Sequence, residues 1–159
     1  GIFGATGGVM VAALRMAYEE IEGKKLNEID FNELSTLEGV KTAKVHMGGK
    51  DHEIAVINGT SHFNEFLRNE DPERFTFIEV MACDGGCIAG GGQPFIVSTN
   101  SDVSRKISRA RIAALKMDDR NNVIRHCQDN PYIKALYKDY LGKPGGKKAH
   151  HLLHVKRSK

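Results

Sequence analysis

The stretch Phe75-Thr76-Phe77-Ile78-Glu79-Val80-Met81-Ala82-Cys83-Asp84-Gly85-Gly86-Cys87-Ile88-Ala89-Gly90-Gly91-Gly92-Gln93-Pro94 decides how this 159-residue chain is read. Its first half, Phe75–Ala82, is the most apolar strand candidate in the sequence and is expected to be largely buried. The strand runs straight into a loop, 83–94, that carries two cysteines and five glycines. Two thiolates four positions apart on the turn after a strand can reach one metal site. The glycines let the backbone approach a bulky inorganic ligand and point N–H groups at its sulfurs. Thiolates select iron–sulfur clusters, zinc or copper(I) over hard cations. Two ligands leave a tetrahedral site incomplete, so further ligands must come from elsewhere. Buried structural cysteines and an anion-binding glycine turn are the competing readings of the same pattern. No Lys-Ser/Thr pair follows Gly90–Gly92, which argues against a Walker loop. The third intervening residue rules out a redox Cys-x-x-Cys pair.

Upstream of the loop, strands and helices mix. A glycine turn at Gly4–Gly8 opens a helix whose apolar residues Val9, Met10, Ala13, Leu14 and Ala17 fall at helical spacing. Residues Asn27–Leu37 are polar and read as loop with a short helical piece. Lys41–Met47 and His52–Ile57 read as two strands around a Gly48-Gly49 hairpin turn. Gly59-Thr60-Ser61 offers a helix N-cap, with Phe63, Phe66 and Leu67 as the apolar face, and Asp71-Pro72 breaks that helix. Downstream the chain is helical. Ser101-Asp102 is expected to cap a helix in which Val103, Ile107, Ala110, Ala114 and Met117 share a face. Asn130-Pro131 starts another helix, Tyr132–Leu141, which Gly142 ends, and a last one covers Lys147–His154. There is no internal repeat. The order implies an α/β fold with a mixed sheet flanked by helices over 1–98, followed by a helical C-terminal tail over 99–159 of the same domain.

Composition narrows the function classes. The 40% hydrophobic and 27% charged residues are ordinary for a globular protein. No apolar run reaches the roughly 18–20 residues that a spanning helix needs. The N-terminus lacks a basic segment and begins abruptly in Gly1-Ile2-Phe3, which reads as the interior of a longer protein. The odd cysteine count, three, without a secretion signal argues for a reducing, cytoplasmic compartment or metal ligation over a disulfide framework. Net charge is +3, and the Lys and Arg residues 143, 147, 148, 156, 157 and 159 gather in the tail with no acid among them. No aromatic residues interleave with these charges and there is no Trp, so nucleic-acid binding is poorly supported and a solvated terminus is the plainer reading.

The run Glu-x-Met-Ala-Cys-x-x-Gly-Cys-x-x-Gly-Gly-Gly-Gln-Pro, matched from Glu79 to Pro94, resembles the third cysteine motif of FeFe (iron-only) hydrogenases. Phe3-Gly4-x-Thr6-Gly7-Gly8-Val9-Met10 is similar to that family's glycine turn beside the diiron centre. Asn130-Pro131 through Tyr137, Leu141-Gly142-x-Pro144 and Ala149-His150-His151-Leu152-Leu153-His154 resemble its C-terminal tail. The resemblance covers nearly the whole chain and implies the C-terminal lobe of the hydrogenase catalytic domain.

The resemblance also implies an active site, the H-cluster, in which a 4Fe–4S cubane is joined through a cysteine sulfur to a diiron unit. Cys83 matches the cubane-only ligand, and Cys87 the ligand whose sulfur also bridges to the diiron unit. Met81 would pack beside that unit, Phe3 and Val9 would wall its pocket, and Gly4 would approach it through its backbone. The implied reaction is reversible reduction of protons to H2, with electrons from a ferredoxin-like donor. Four cysteines serve the family's cluster, and the two motifs supplying the others, a cyanide-contacting lysine and a proton-delivering cysteine do not occur here. The chain alone is therefore expected to be inactive and without the cluster, and to pair with a copy of itself through core-like surface at Phe75–Val80 and Val9–Leu14. Val11 stands where the family usually has Glu, and Cys127 where it has a small polar residue, which reads as a free thiol. His150, His151 and His154 read as part of a docking helix and not as metal ligands. A hydrogenase-like iron–sulfur assembly scaffold is the alternative; the tail motif favours the hydrogenase.

Overall fold

The computed structural model describes residues 1–26, 29, 32–33, 37–97 and 99–155. The chain divides into two compact units, Gly1–Asn122 and Val123–Lys159. The first unit holds helix α1 (Gly8–Glu22), strands β1 (Asn32–Glu33), β2 (Val40–Met47) and β3 (Lys50–Asn58), helix α2 (Thr60–Asn69), strand β4 (Phe77–Met81) and helix α3 (Ser101–Asn121). The strands form one mixed sheet in the order β1-β2-β3-β4. The hairpin turns on Gly48-Gly49, and its antiparallel register runs from Met47↔Lys50 to Val40↔Ile57. β4 instead runs parallel to β3, with Ile54↔Phe77 and Asn58↔Met81 at the two ends. The loop with a short helical piece expected over 27–37 falls mostly outside the described residues; of those described there, 29, 32, 33 and 37, Asn32–Glu33 pair with β2 as a strand.

Side-chain alternation on β3 builds the core. Ile54 and Val56 face one side, where Met10 and Leu14 of α1 pack with Ala43, Val45 and Met47. Ala55 and Ile57 face the other, with Val40, Phe66 of α2 and Phe75. The sheet thus lies between α1 and α2, and β3 is buried on both faces. Its four consecutive apolar residues, Ile54–Ile57, are the pattern of such a strand.

The expectation of a largely buried Phe75–Ala82 strand is corrected here. β4 is paired only to β3 among the described residues, and Phe77 and Val80 are 46% and 39% exposed. A strand with one neighbour leaves part of its apolar surface uncovered however hydrophobic its sequence. The expected core-like surface at Val9–Leu14 is likewise reduced, leaving Val9 and Ala13 exposed, because Met10 and Leu14 lie in the α1 core. Leu67 of α2 is also exposed, and Gly59 precedes that helix without a side-chain cap.

α3 turns a different face inward from the one its apolar spacing implied. Val103, Ala110, Ala114 and Met117 are exposed, whereas Ile107, Arg111, Ile112, Leu115 and Asp119 are partly covered. The reason is an ion pair. Arg15 of α1 meets Asp119 through Nη1 at 3.0 Å and Nη2 at 2.9 Å, with both side chains nearly inaccessible. A two-pronged pair of this kind fixes rotation as well as distance. The helix is capped one residue earlier than expected, by the Asn100 side chain accepting from Asp102 N at 2.9 Å.

In the second unit α4 (Pro131–Leu136) begins at Asn130, whose side chain accepts from Tyr132 N, and a wider turn, Tyr137–Leu141, continues it to Gly142. Helix α5 (Lys147–Leu153) closes the unit, with Lys148 Nζ 3.7 Å from the centre of the Tyr140 ring. These are the helices expected from the tail sequence.

Phe66 is fully buried and packs against Phe75 with the ring centroids 5.4 Å apart and the planes tilted by 47°. Phe66→Ala is expected to cost about 3–5 kcal/mol in urea unfolding, through lost burial and the cavity it leaves.

Candidate metal centre

The cysteine loop starts where parallel strands β3 and β4 both end, the edge at which open α/β sheets bind ligands. Asn58, the last residue of β3, fastens the start of the loop. Its Oδ1 accepts from Gly85 N at 2.8 Å and its Nδ2 donates to Asp84 Oδ1 at 2.6 Å. Gly59 N adds a bond to Met81 O at 2.7 Å. The loop then folds on itself, with Gly86 N donating to Cys83 O and Gly90 N to Cys87 O. This brings Cys83 Sγ back towards Gly90, where an added Cβ would lie 3.4 Å from the sulfur.

The glycine turn at 4–8 is locked to this loop by two devices. The first is main-chain contact: Thr6 N donates to Gly85 O at 3.1 Å. Gly86 permits that approach, since its φ is +95° and a Cβ there would meet Thr6 N at 2.7 Å. The second is Glu79. It pairs in register with Val56, so its side chain leaves the sheet on the α1 side. Its Oε1 accepts from Gly7 N at 2.7 Å and its Oε2 from Met10 N at 2.6 Å. α1 has no side-chain cap and no acid in its first turn, so this carboxylate supplies the anion that a helix N-terminus favours.

The residues singled out from sequence fall around this junction. Cys83 and Cys87 are both exposed free thiols. Phe3 and Val9 are 57% and 45% exposed, and flank a turn whose Ala5, Gly7 and Gly8 are buried. Gly4 lies against Ile88, the residue after Cys87, and Met81 ends β4. A cavity of about 1050 Å³ opens beside Cys83, lined among others by Thr6, Asn58, Asp84, Ser104 and Arg109. Two soft thiolates, an adjoining space and glycine backbone suit an iron–sulfur ligand. The fit is partial: among the described residues no group of three or more His, Cys, Asp or Glu could hold a metal ion. His150 and His154 approach each other at Nδ1, 2.6 Å apart, with no third ligand among the described residues. Among the described residues no helix is long and apolar enough to cross a membrane.

Comparison with known proteins identifies the family. Residues 1–91 match the C-terminal domain of the iron only hydrogenase large subunit, and residues 105–156 match the iron hydrogenase small subunit. This chain belongs to the iron-only hydrogenase family. The subunit HndD of the NADP-reducing hydrogenase of Solidesulfovibrio fructosivorans is 44% identical over 97% of this chain and 26% of its own length. Iron hydrogenase 1 of Clostridium pasteurianum is 39% identical over 99% of this chain and 28% of its own length. A variant of the FeFe-hydrogenase HydA1 from Chlamydomonas reinhardtii superposes with a TM-score of 0.76 at 31% identity, covering 98% of this chain and 45% of that one. A probable cytosolic Fe-S cluster assembly factor of Drosophila melanogaster is more distant, at 29% identity over 86% of this chain. The chain therefore spans between about a quarter and a half of the proteins it matches. It also joins in one polypeptide segments that resemble a large and a small subunit.

Sequence reasoning assigned no role to Glu79, Asn58 or Arg111. Glu79 carries a signal, being a lone carboxylate inside an apolar strand. The other two carry none, because backbone groups are among their partners.

Glu79→Ala is expected to destabilise the first unit by about 2–4 kcal/mol. Amide exchange should rise first at Gly7 and Met10, read by NMR, and unchanged protection there would exclude the capping role.

Proposed function

We propose that this chain is the C-terminal part of the catalytic domain of an FeFe hydrogenase, whose full-length form interconverts protons and H2. The observation that carries the reading is the junction of the glycine turn with the cysteine loop, locked by Glu79 and by the Thr6–Gly85 bond. It joins the turn that carries Phe3, Gly4 and Val9 to the segment that carries Met81, Cys83 and Cys87.

In this reading Cys83 and Cys87 would hold the H-cluster, Cys83 as a ligand of its 4Fe–4S part and Cys87 as the ligand its two parts would share. When bound, such a cluster would supply the electron storage and the metal chemistry for forming H2 from two protons and two electrons. The chain's own residues orient and enclose. Met81 offers a thioether as a polarizable contact. Phe3 and Val9 form an apolar wall that limits water, and Gly4 brings backbone close where a side chain would intrude. Electrons arrive from a ferredoxin-like carrier, and the reducing state needed for free thiolates fits a cytoplasmic enzyme.

The scaffold alternative shares the cysteine loop. The small-subunit-like tail over 105–156 and the higher identity to hydrogenases favour the enzyme. The deciding measurement is H2 evolution from reduced methyl viologen by the matured full-length protein. Cluster-loaded protein that evolves no H2 would support the scaffold instead. Cys87→Ser in that protein is expected to abolish H2 evolution and lower its iron content, and retention of both would remove Cys87 from the site.

The 159-residue chain on its own supplies two thiolates at this site. Anaerobic reconstitution of the chain is expected to leave Cys83 and Cys87 without a complete cubane, and a full 4Fe–4S absorption and EPR signature would overturn this. Exposed Phe77 and Val80 on β4 give a second copy a surface to cover. Sedimentation equilibrium is expected to show a dimer at high concentration, and a strict monomer would exclude that pairing.

A further inference from the structure

Arg111 spans the cysteine loop from outside. Its Nη1 donates to Ile88 O at 2.9 Å and its Nη2 to Pro94 O at 2.7 Å. Ile88 directly follows Cys87, and Pro94 ends the glycine run, so one guanidinium ties together both ends of 88–94. The loop has few bonds of its own: Ala89 N donates to Gly86 O at 3.1 Å, Gly90 N to Cys87 O at 3.1 Å and Gln93 N to Gly90 O at 3.3 Å. Three consecutive glycines lose more conformational freedom on ordering than other residues, which makes an external partner necessary.

The helix carrying Arg111 is itself fixed. Asp119, two turns further along α3, is gripped by Arg15 of α1. Between them, Ile112 Cδ1 lies 3.8 Å from where a Gly85 Cβ would stand, and Leu115 Cδ1 lies 3.1 Å from that of Gly4. α3 therefore touches the glycine turn and the cysteine loop together, and Arg111 is its polar grip on the loop.

We infer that Arg111 is a positioning residue for Cys87, holding the segment after the thiolate so that the sulfur stays beside the glycine turn. This inference rests on the reading of Cys87 as an iron ligand. Geometry, and not charge alone, is the point. A lysine keeps the positive charge, but its single ammonium lacks the planar fork that meets two separate carbonyls.

The test compares wild type with Arg111→Lys and Arg111→Gln. In the 159-residue chain, amide exchange read by rapid-quench mass spectrometry should rise about tenfold at Ala89, Gly90 and Gln93 in both variants, with the 40–58 hairpin unchanged. Wild-type exchange at those amides in Arg111→Lys would overturn the inference. An equal rise in loop and hairpin would also overturn it, since that is general destabilisation. In the matured full-length protein, Arg111→Lys should lose iron to a chelator several-fold faster than wild type, and an equal rate would overturn the link to Cys87. Wild-type full-length protein that takes up no iron would instead defeat the reading of Cys87 as a ligand, an outcome separable from the exchange result.

Discussion

A single carboxylate decides how the layers of this protein meet. Glu79 sits on edge strand β4, and its two oxygens accept the Gly7 and Met10 N–H groups that open α1. A helix N-terminus presents free donors and a partial positive charge, so a carboxylate there gains two charge-assisted bonds at once. The amide of a glutamine would offer one acceptor and turn a donor towards the second N–H. Because Glu79 lies only two residues before Met81 and four before Cys83, its grip on α1 also sets where the glycine turn stands relative to the cysteines. The packing of Met10 and Leu14 against β2 and β3 then follows from where the helix begins.

The rest of the junction is made largely of backbone. Thr6 N bonds Gly85 O, and Gly8 lies so close to Ile2 O that a Cβ would clash with it. Chain segments can approach this closely only where side chains are missing, which explains the glycines better than flexibility does. Such segments cost more to order than others, and the offset comes from side chains on regular elements: Glu79 on β4, Asn58 on β3 and Arg111 on α3. Each accepts from or donates to a main-chain group of the turn or the loop. The two turns thereby gain the rigidity that a ligand site needs.

This division of labour explains what could be read in the sequence. Helix α1, the hairpin, α2 and the tail helices follow from apolar spacing, turn glycines, the Asp71-Pro72 break and the Asn130 cap, which are local signals. The cysteine loop was legible as a soft-metal candidate from its thiolates and glycines, and as a hydrogenase motif only through its long specific match. Two assignments needed information that local pattern lacks. Phe75–Ala82 and Ile54–Ile57 are both apolar, and which of them is central depends on strand order, set by pairing across the sheet. On α3 the apolar spacing pointed to Val103–Met117, but the inward face is chosen by Arg111 and Asp119. Charged residues on an inward helix face contradict the usual pattern, and only their partners, Arg15 and two carbonyls, make them intelligible.

Exposure within the junction follows a consistent split. Its framework is buried: Ala5, Gly7, Gly8, Gly85, Gly86 and Ile88. Of the residues proposed to meet the cluster, Phe3, Val9, Cys83 and Cys87 are exposed and Gly4 and Met81 half-buried. A polar ligand group left open to water is a poor place for chemistry that requires exclusion of solvent and a complete set of thiolates. The same openness is what a shared site requires, because further ligands must approach from the side that the framework leaves free. Glu79, Asn58 and Arg111 order the turn and the loop through main-chain groups, so on the proposed reading of Cys83 and Cys87 as ligands the fold itself meets part of the entropic cost of arranging the site.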